Sequence, residues 1–138
     1  MQASRIFLDL SLASLLGGMV FFAAVVAPQV FRTLAPDDAG RFLRALFPRY
    51  YLFMIVTAGA AALAALPASF VAAAALAAVA VTTVLVRQFL VPRLNAWRDA
   101  ELAGDAAAGR RFATGHRLSV VINLLQLVAV IAIVVRGI

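Results

Sequence analysis

Residues 118–135 read Leu-Ser-Val-Val-Ile-Asn-Leu-Leu-Gln-Leu-Val-Ala-Val-Ile-Ala-Ile-Val-Val. The stretch carries no charge, and only Ser119, Asn123 and Gln126 are polar. A helix needs about 20 predominantly apolar residues, at the least about 17, to cross the ~30 Å hydrocarbon layer of a bilayer. This stretch meets that length and is too apolar for the surface of a soluble domain. Three further runs of the same kind lie upstream, at residues 6–27, 50–66 and 69–91. Composition agrees with this reading. Hydrophobic residues make up 65% of the 138-residue chain and charged residues 13%, against about 45–50% and roughly 25% in soluble domains. Mean hydropathy is +1.03. A disordered tail, a disulfide scaffold and an ordinary soluble enzyme are excluded. The expectation is an all-α, antiparallel four-helix transmembrane bundle forming a single domain.

The N-terminal run is read as a permanent span rather than a cleaved signal. Asp9 interrupts it, Arg5 is its one leading positive charge, and it exceeds the roughly 7–15 apolar residues of a signal's core. Pro28 is expected to end the first span, and Pro67 to sit in a tight hairpin between the second and third. The alanine-rich third run and the Gly17-Gly18 pair provide thin helix faces for close packing, a contact that a homodimer could also use.

The charged residues give an orientation. Every basic residue is an arginine, and net charge is +6. Four antiparallel spans put ten arginines on one side (Arg32, Arg41, Arg44, Arg49, Arg87, Arg93, Arg98, Arg110, Arg111 and Arg117) and only Arg5 and Arg136 on the other. The positive-inside rule then expects the two longer loops in the cytoplasm of a bacterial inner membrane and both termini outside. Anionic lipid headgroups, not nucleic acid, are the expected partner of this charge.

The first of these loops, residues 29–49, is expected to hold a short amphipathic helix at the interface. Asp37 and Asp38 mark its start, Asp37 and Arg41 are spaced for an i,i+4 pair, and Pro48 ends it. Arg41 and Arg44 face outward while Phe47 and its apolar neighbours face lipid. The functional alternative is a gate over a cavity. In the second loop the third span is expected to kink at Pro92 and run on past the membrane surface, with Trp97 at headgroup level and Gly104 and Gly109 bracketing a connection.

Two polar stripes bear on function. On the fourth span His116, Ser119, Asn123 and Gln126 share one helical face; on the third, Gln88, Asn95 and Asp99 do so, with Arg87 alongside. Polar groups in hydrocarbon are costly, so the stripes are expected to converge on a layer inside the bundle, with Tyr50 beside it. Arg87 is expected to snorkel or to pair with Asp99 or a ligand. Two explanations stand side by side: a layer that fixes helix register, and a binding or transport site for a small ligand. A haem- or quinone-associated oxidoreductase using His116 is an alternative function, and an accessory subunit without a ligand is another. One histidine and no cysteine do not make a zinc site. No catalytic residue and no cofactor is implied by the residues themselves.

Four segments resemble a known family in the right order. They are Pro28-Gln29-Val30-Phe31; Gly40 to Tyr50 with its Leu46-Phe47-Pro48-Arg49-Tyr50 ending; Pro92-Arg93 with Asn95 and Arg98; and His116-Arg117-Leu118-Ser119 followed by Asn123-Leu124. The chain resembles the transmembrane-protein-205-like family, whose bacterial members carry a four-helix domain of unknown function. The resemblance implies a four-span membrane protein and marks Phe47, Pro48, Tyr50, Pro92, Arg93, His116, Ser119 and Asn123. It implies no reaction.

Overall fold

The computed structural model describes residues 2–137. Four long helices account for nearly all of them: α1 (Ser4–Thr33), α2 (Pro36–Ala65), α3 (Phe70–Leu102) and α4 (Ala106–Arg136), each long and apolar enough to cross a membrane. There is no strand among the described residues. The protein is an all-α four-helix membrane bundle. At ~1.5 Å per residue, a 30-residue helix is about 45 Å long, which exceeds the ~30 Å of hydrocarbon. The surplus falls at the arginine-rich end, where the helices extend beyond their apolar sections.

Each connection has a local cause. Leu34 and Ala35 are extended, because the residue before a proline avoids the helical region, and Pro36 then opens α2 at a position that needs no N–H. Around Pro67 the Ser69 hydroxyl accepts from the Ala72 N–H at 3.2 Å, capping α3. Beyond α3, Gly104 takes φ +103°, the left-handed geometry that favours glycine after a helix. The Asp105 carboxylate then accepts from the Ala107 and Ala108 N–H groups at 2.8 and 3.1 Å and caps α4.

The core is a ridge of large side chains set into a groove of alanines. Leu8, Leu12, Leu15 and Met19 recur on one face of α1 and are buried. Opposite them α2 presents Ala58, Ala61 and Ala65, none of them exposed, and α3 continues the surface with Ala72, Ala73 and Leu76. Lipid tails are as apolar as leucine, so close packing rather than water exclusion holds such helices together, and small residues permit it. α4 contributes less to this core: Val130 is fully buried, while Leu118, Val121, Leu125 and Val128 face outward.

Four expectations need correction. Pro28 does not end the first span, which runs on to Thr33. Pro48 does not separate an interfacial helix from the second span; residues 36–47 are helical but continuous with it, with Pro48 inside α2. Gly109 lies within α4, and the connection is residues 103–105. Asp37 and Asp38 lie in the first turn of α2 without a side-chain cap, where they complement the helix dipole, and Arg41 pairs with Asp38 rather than Asp37. The third span continues past Pro92 to Leu102 as expected.

The tolerance of two of these prolines has one physical reason. A π-helical turn at Phe22–Val26 precedes Pro28, and another at Val86–Leu90 precedes Pro92. The Ala27 and Val91 N–H groups reach back to the carbonyls of Phe22 and Val86, five residues away. Proline normally clashes with the carbonyl four residues before it. Here those residues, Ala24 and Gln88, lie within the widened turns, which relieve the clash without breaking the helix. Pro48 has no such turn; the carbonyl it leaves without a backbone donor is that of Arg44, and next to it the Arg49 guanidinium donates to the Ala45 carbonyl at 2.7 Å.

Candidate functional site

The polar groups sort by depth. Gln126 lies ten residues from Arg136, so about 15 Å along α4, near mid-bilayer. It is 7% exposed. Its amide nitrogen donates to the Thr82 hydroxyl at 2.7 Å, the Thr83 hydroxyl at 3.1 Å and the Val79 carbonyl at 3.4 Å. Thr83 donates in turn to the Val79 carbonyl at 2.7 Å. Thr82 and Thr83 belong to neither polar stripe, yet they lie about 18 Å along α3 from Phe70, at a depth Gln126 can reach. Matching polar residues by depth, not only by helical face, finds them.

One turn nearer the arginine-rich end, Asn123 donates to the Tyr50 hydroxyl at 3.4 Å and faces the Met54 sulfur at 3.6 Å. Tyr50 is buried and stacks on Phe22 with ring centroids 4.3 Å apart. Phe47 packs against Phe22 at 5.6 Å and stacks on Tyr51 at 5.7 Å. The four rings join α1 to α2 at the level of the first π turn. Ser119 is buried and donates to the carbonyl of His116, on its own helix, at 2.7 Å. No fully buried side-chain nitrogen or oxygen lacks a partner among the described residues.

Arg87, half-buried at the second π turn, donates from Nε to the Pro48 carbonyl at 3.2 Å. It does not pair with Asp99, whose carboxylate accepts from Arg44 at 2.7 Å. Arg44 also reaches the Asn95 carbonyl at 3.5 Å; the Asn95 side chain makes no such contact. The expected convergence is therefore partial. Tyr50, Ser119, Asn123 and Gln126 turn inward, and Arg87 reaches between α3 and α2. Gln88 and His116 are exposed. His116 stacks on Phe112 at 6.0 Å, one turn away on its own helix, and Arg98 lies over the same Phe112 ring at 5.6 Å from its centroid while pairing with Glu101 at 2.7 Å. Both exposed residues sit about 27–30 Å along their helices, at the hydrocarbon boundary. There headgroups and water can satisfy them, and the cost that turns Gln126 inward vanishes.

Beyond that boundary α3 and α4 pack as a helical hairpin. Trp97 and Leu94 close over Gly115, where a Cβ atom would meet each of them at 2.9 Å. Trp97 is thus a packing residue of this hairpin. Two surface grooves lie away from Gln126 and Arg87, although Tyr50 lines the second. One, of about 340 Å³, is at the opposite end between α1 and α4, beside Arg5 and Asp9. The other, of about 460 Å³, runs between α1 and α2 past Phe42, Arg49 and Phe53. Among the described residues no three His, Cys, Asp or Glu side chains converge as metal ligands.

Gln126→Leu keeps the volume and removes three hydrogen bonds, while Thr83 retains the Val79 carbonyl. Bundle stability should fall by about 0.6–1.7 kcal/mol, the range of interhelical hydrogen bonds in membranes. Reversible unfolding in mixed micelles measures it, and Thr82→Ala in the same background should add little.

The chain matches no curated protein and no solved structure. A family model does match residues 10–102, the greater part of α1 to α3, and on that match the chain belongs to the family of a domain of unknown function, DUF4149.

Proposed function

We propose that this multi-pass membrane protein binds a small anionic ligand at the arginine-rich side of its bundle, beside Arg87. The observation that carries the reading is the state of that guanidinium. It is half-buried and anchored through Nε to a carbonyl of the neighbouring helix. Its two terminal nitrogens make no hydrogen bond or ion pair with the described residues, whose ion pairs are Arg5–Asp9, Arg41–Asp38, Arg44–Asp99 and Arg98–Glu101. A positioned guanidinium with free donors suits a carboxylate or phosphate. Tyr50, Asn123 and Gln126 give the neighbouring interior its polarity. Ten arginines against five carboxylates at this end support a site facing the cytoplasm of an inner membrane, with both termini outside. The resemblance to the transmembrane-protein-205-like family, which extends into α4, fits the same orientation.

The test uses phosphate, acetate and succinate as probes of the purified protein's thermal midpoint. At least one should raise it at millimolar concentration. Arg87→Gln should weaken that effect about tenfold, since a hydrogen bond to a charged group contributes about 1.5–3 kcal/mol, whereas Arg44→Gln should leave it unchanged. No stabilising anion, or equal response of the Arg87 variant, overturns the reading. A second reading, a structural subunit whose polar layer fixes register, is favoured by the three contacts that the Gln126 amide nitrogen makes with α3 and predicts that negative result.

A further inference from the structure

We infer that the groove between α1 and α2 is a binding site for an anionic phospholipid, with one acyl chain along the groove and the headgroup phosphate on Arg49. The inference is independent of the Arg87 reading. Gly18, Phe21 and Val26 form one wall, and Phe42, Leu46 and Phe53 the other. Phe22 stacked on Tyr50 makes a rigid floor. From Phe42 to Phe53 the groove runs about 16 Å, of which about 12 Å lies on the hydrocarbon side of Ala45, most of one leaflet's share of the ~30 Å hydrocarbon thickness.

Charge and depth choose the headgroup. Arg49 is the one cation on the groove, and it has no carboxylate partner among the described residues. Its guanidinium is turned toward the arginine-rich end and held by the Ala45 carbonyl at 2.7 Å. Counting about 20 residues back from Ala65 puts the hydrocarbon boundary close to Ala45. The side chain therefore lies along the groove with its charge at headgroup level, the snorkelling posture of arginine. One Nη is spent on the backbone, and the other nitrogens remain to meet a phosphate. A groove with oily walls and a fixed cation at its mouth complements an acidic lipid and gives a zwitterionic one no comparable gain.

The test places an indole on the groove wall (Leu46→Trp in a Trp97→Phe background) and reconstitutes the full chain in vesicles of brominated phosphatidylglycerol or brominated phosphatidylcholine. Quenching in mixtures should show phosphatidylglycerol favoured at this wall about three- to fivefold. Arg49→Gln should bring the ratio to about one, and Arg87→Gln should leave it unchanged, so the two readings fail separately. Native mass spectrometry of the chain without the indole should show a retained phosphatidylglycerol that Arg49→Gln loses. A ratio of one with Arg49 present, or a preference that survives Arg49→Gln, overturns the inference. So does an indole that neither lipid quenches in a chain that cross-links as a dimer, because a second copy then fills the groove.

Discussion

Tyr50→Ala should destabilise the bundle by about 2–3 kcal/mol, while Tyr50→Phe should cost only about 0.6 kcal/mol, the mean for an interhelical hydrogen bond in a membrane. The difference separates the two roles of one side chain. Its ring stacks on Phe22 at 4.3 Å, touches Tyr51 at 5.6 Å and is only 8% exposed. Its hydroxyl accepts from Asn123 at 3.4 Å. Truncating a buried aromatic in a soluble core costs about 3–5 kcal/mol, part transfer and part cavity. Lipid solvates the exposed ring about as well as the core does, so most of the transfer part is absent here and the cavity part remains. Unfolding in mixed micelles gives both values. If Tyr50→Phe costs as much as Tyr50→Ala, the hydroxyl's bond to Asn123 of α4 carries the contribution of Tyr50, and its stack on Phe22 is not the joint between α1 and α2 described above.

Sequence and structure agree where one energy term dominates. Hydrocarbon thickness sets a minimum run of apolar residues, so the four spans were readable at once, and the inward turn of Asn123 and Gln126 followed from the cost of an amide at mid-bilayer. Gln88 and His116 are exposed instead, because depth scales that cost and both lie where water and headgroups reach. Pro28 and Pro48 depart from expectation for another reason, as both lie inside helices. A proline stops a helix in water because the freed carbonyls and the following chain have alternatives; in a bilayer, leaving the helix is worse than distorting it. The π turn at Phe22–Val26 is such a distortion, and it has no residue pattern from which it could be read. The placement of Arg87 on the Pro48 carbonyl depends in turn on that unbroken helix. A separate interfacial helix ending at Pro48 would have left no fixed backbone for the guanidinium to find.

Gly115→Ile should open the α3–α4 hairpin at the arginine-rich end, with a loss of about 2–3 kcal/mol, in the upper part of the cost of overpacking. A Cβ atom at Gly115 alone would lie 2.9 Å from both Leu94 Cδ2 and Trp97 Cζ3, too close for either to remain in place, and the branched isoleucine side chain extends further into the same contact. Gly17→Ile provides the control. It is the same exchange on a transmembrane helix, but a Cβ atom at Gly17 meets nothing within 4 Å, so stability should change little. Trp97 is the chain's only tryptophan and forms the lid over Gly115, so its fluorescence reports this hairpin alone. In Gly115→Ile the emission should move to the red as the indole is displaced into water or headgroups, while Gly17→Ile should leave it in place. Emission unchanged in Gly115→Ile, with the protein still folded, would mean that the extended ends of α3 and α4 do not pack at this point. Arg98, Glu101 and Phe112 would then lose the scaffold that brings them together, and the ordered helical extension beyond the membrane would shrink to two independent helix ends.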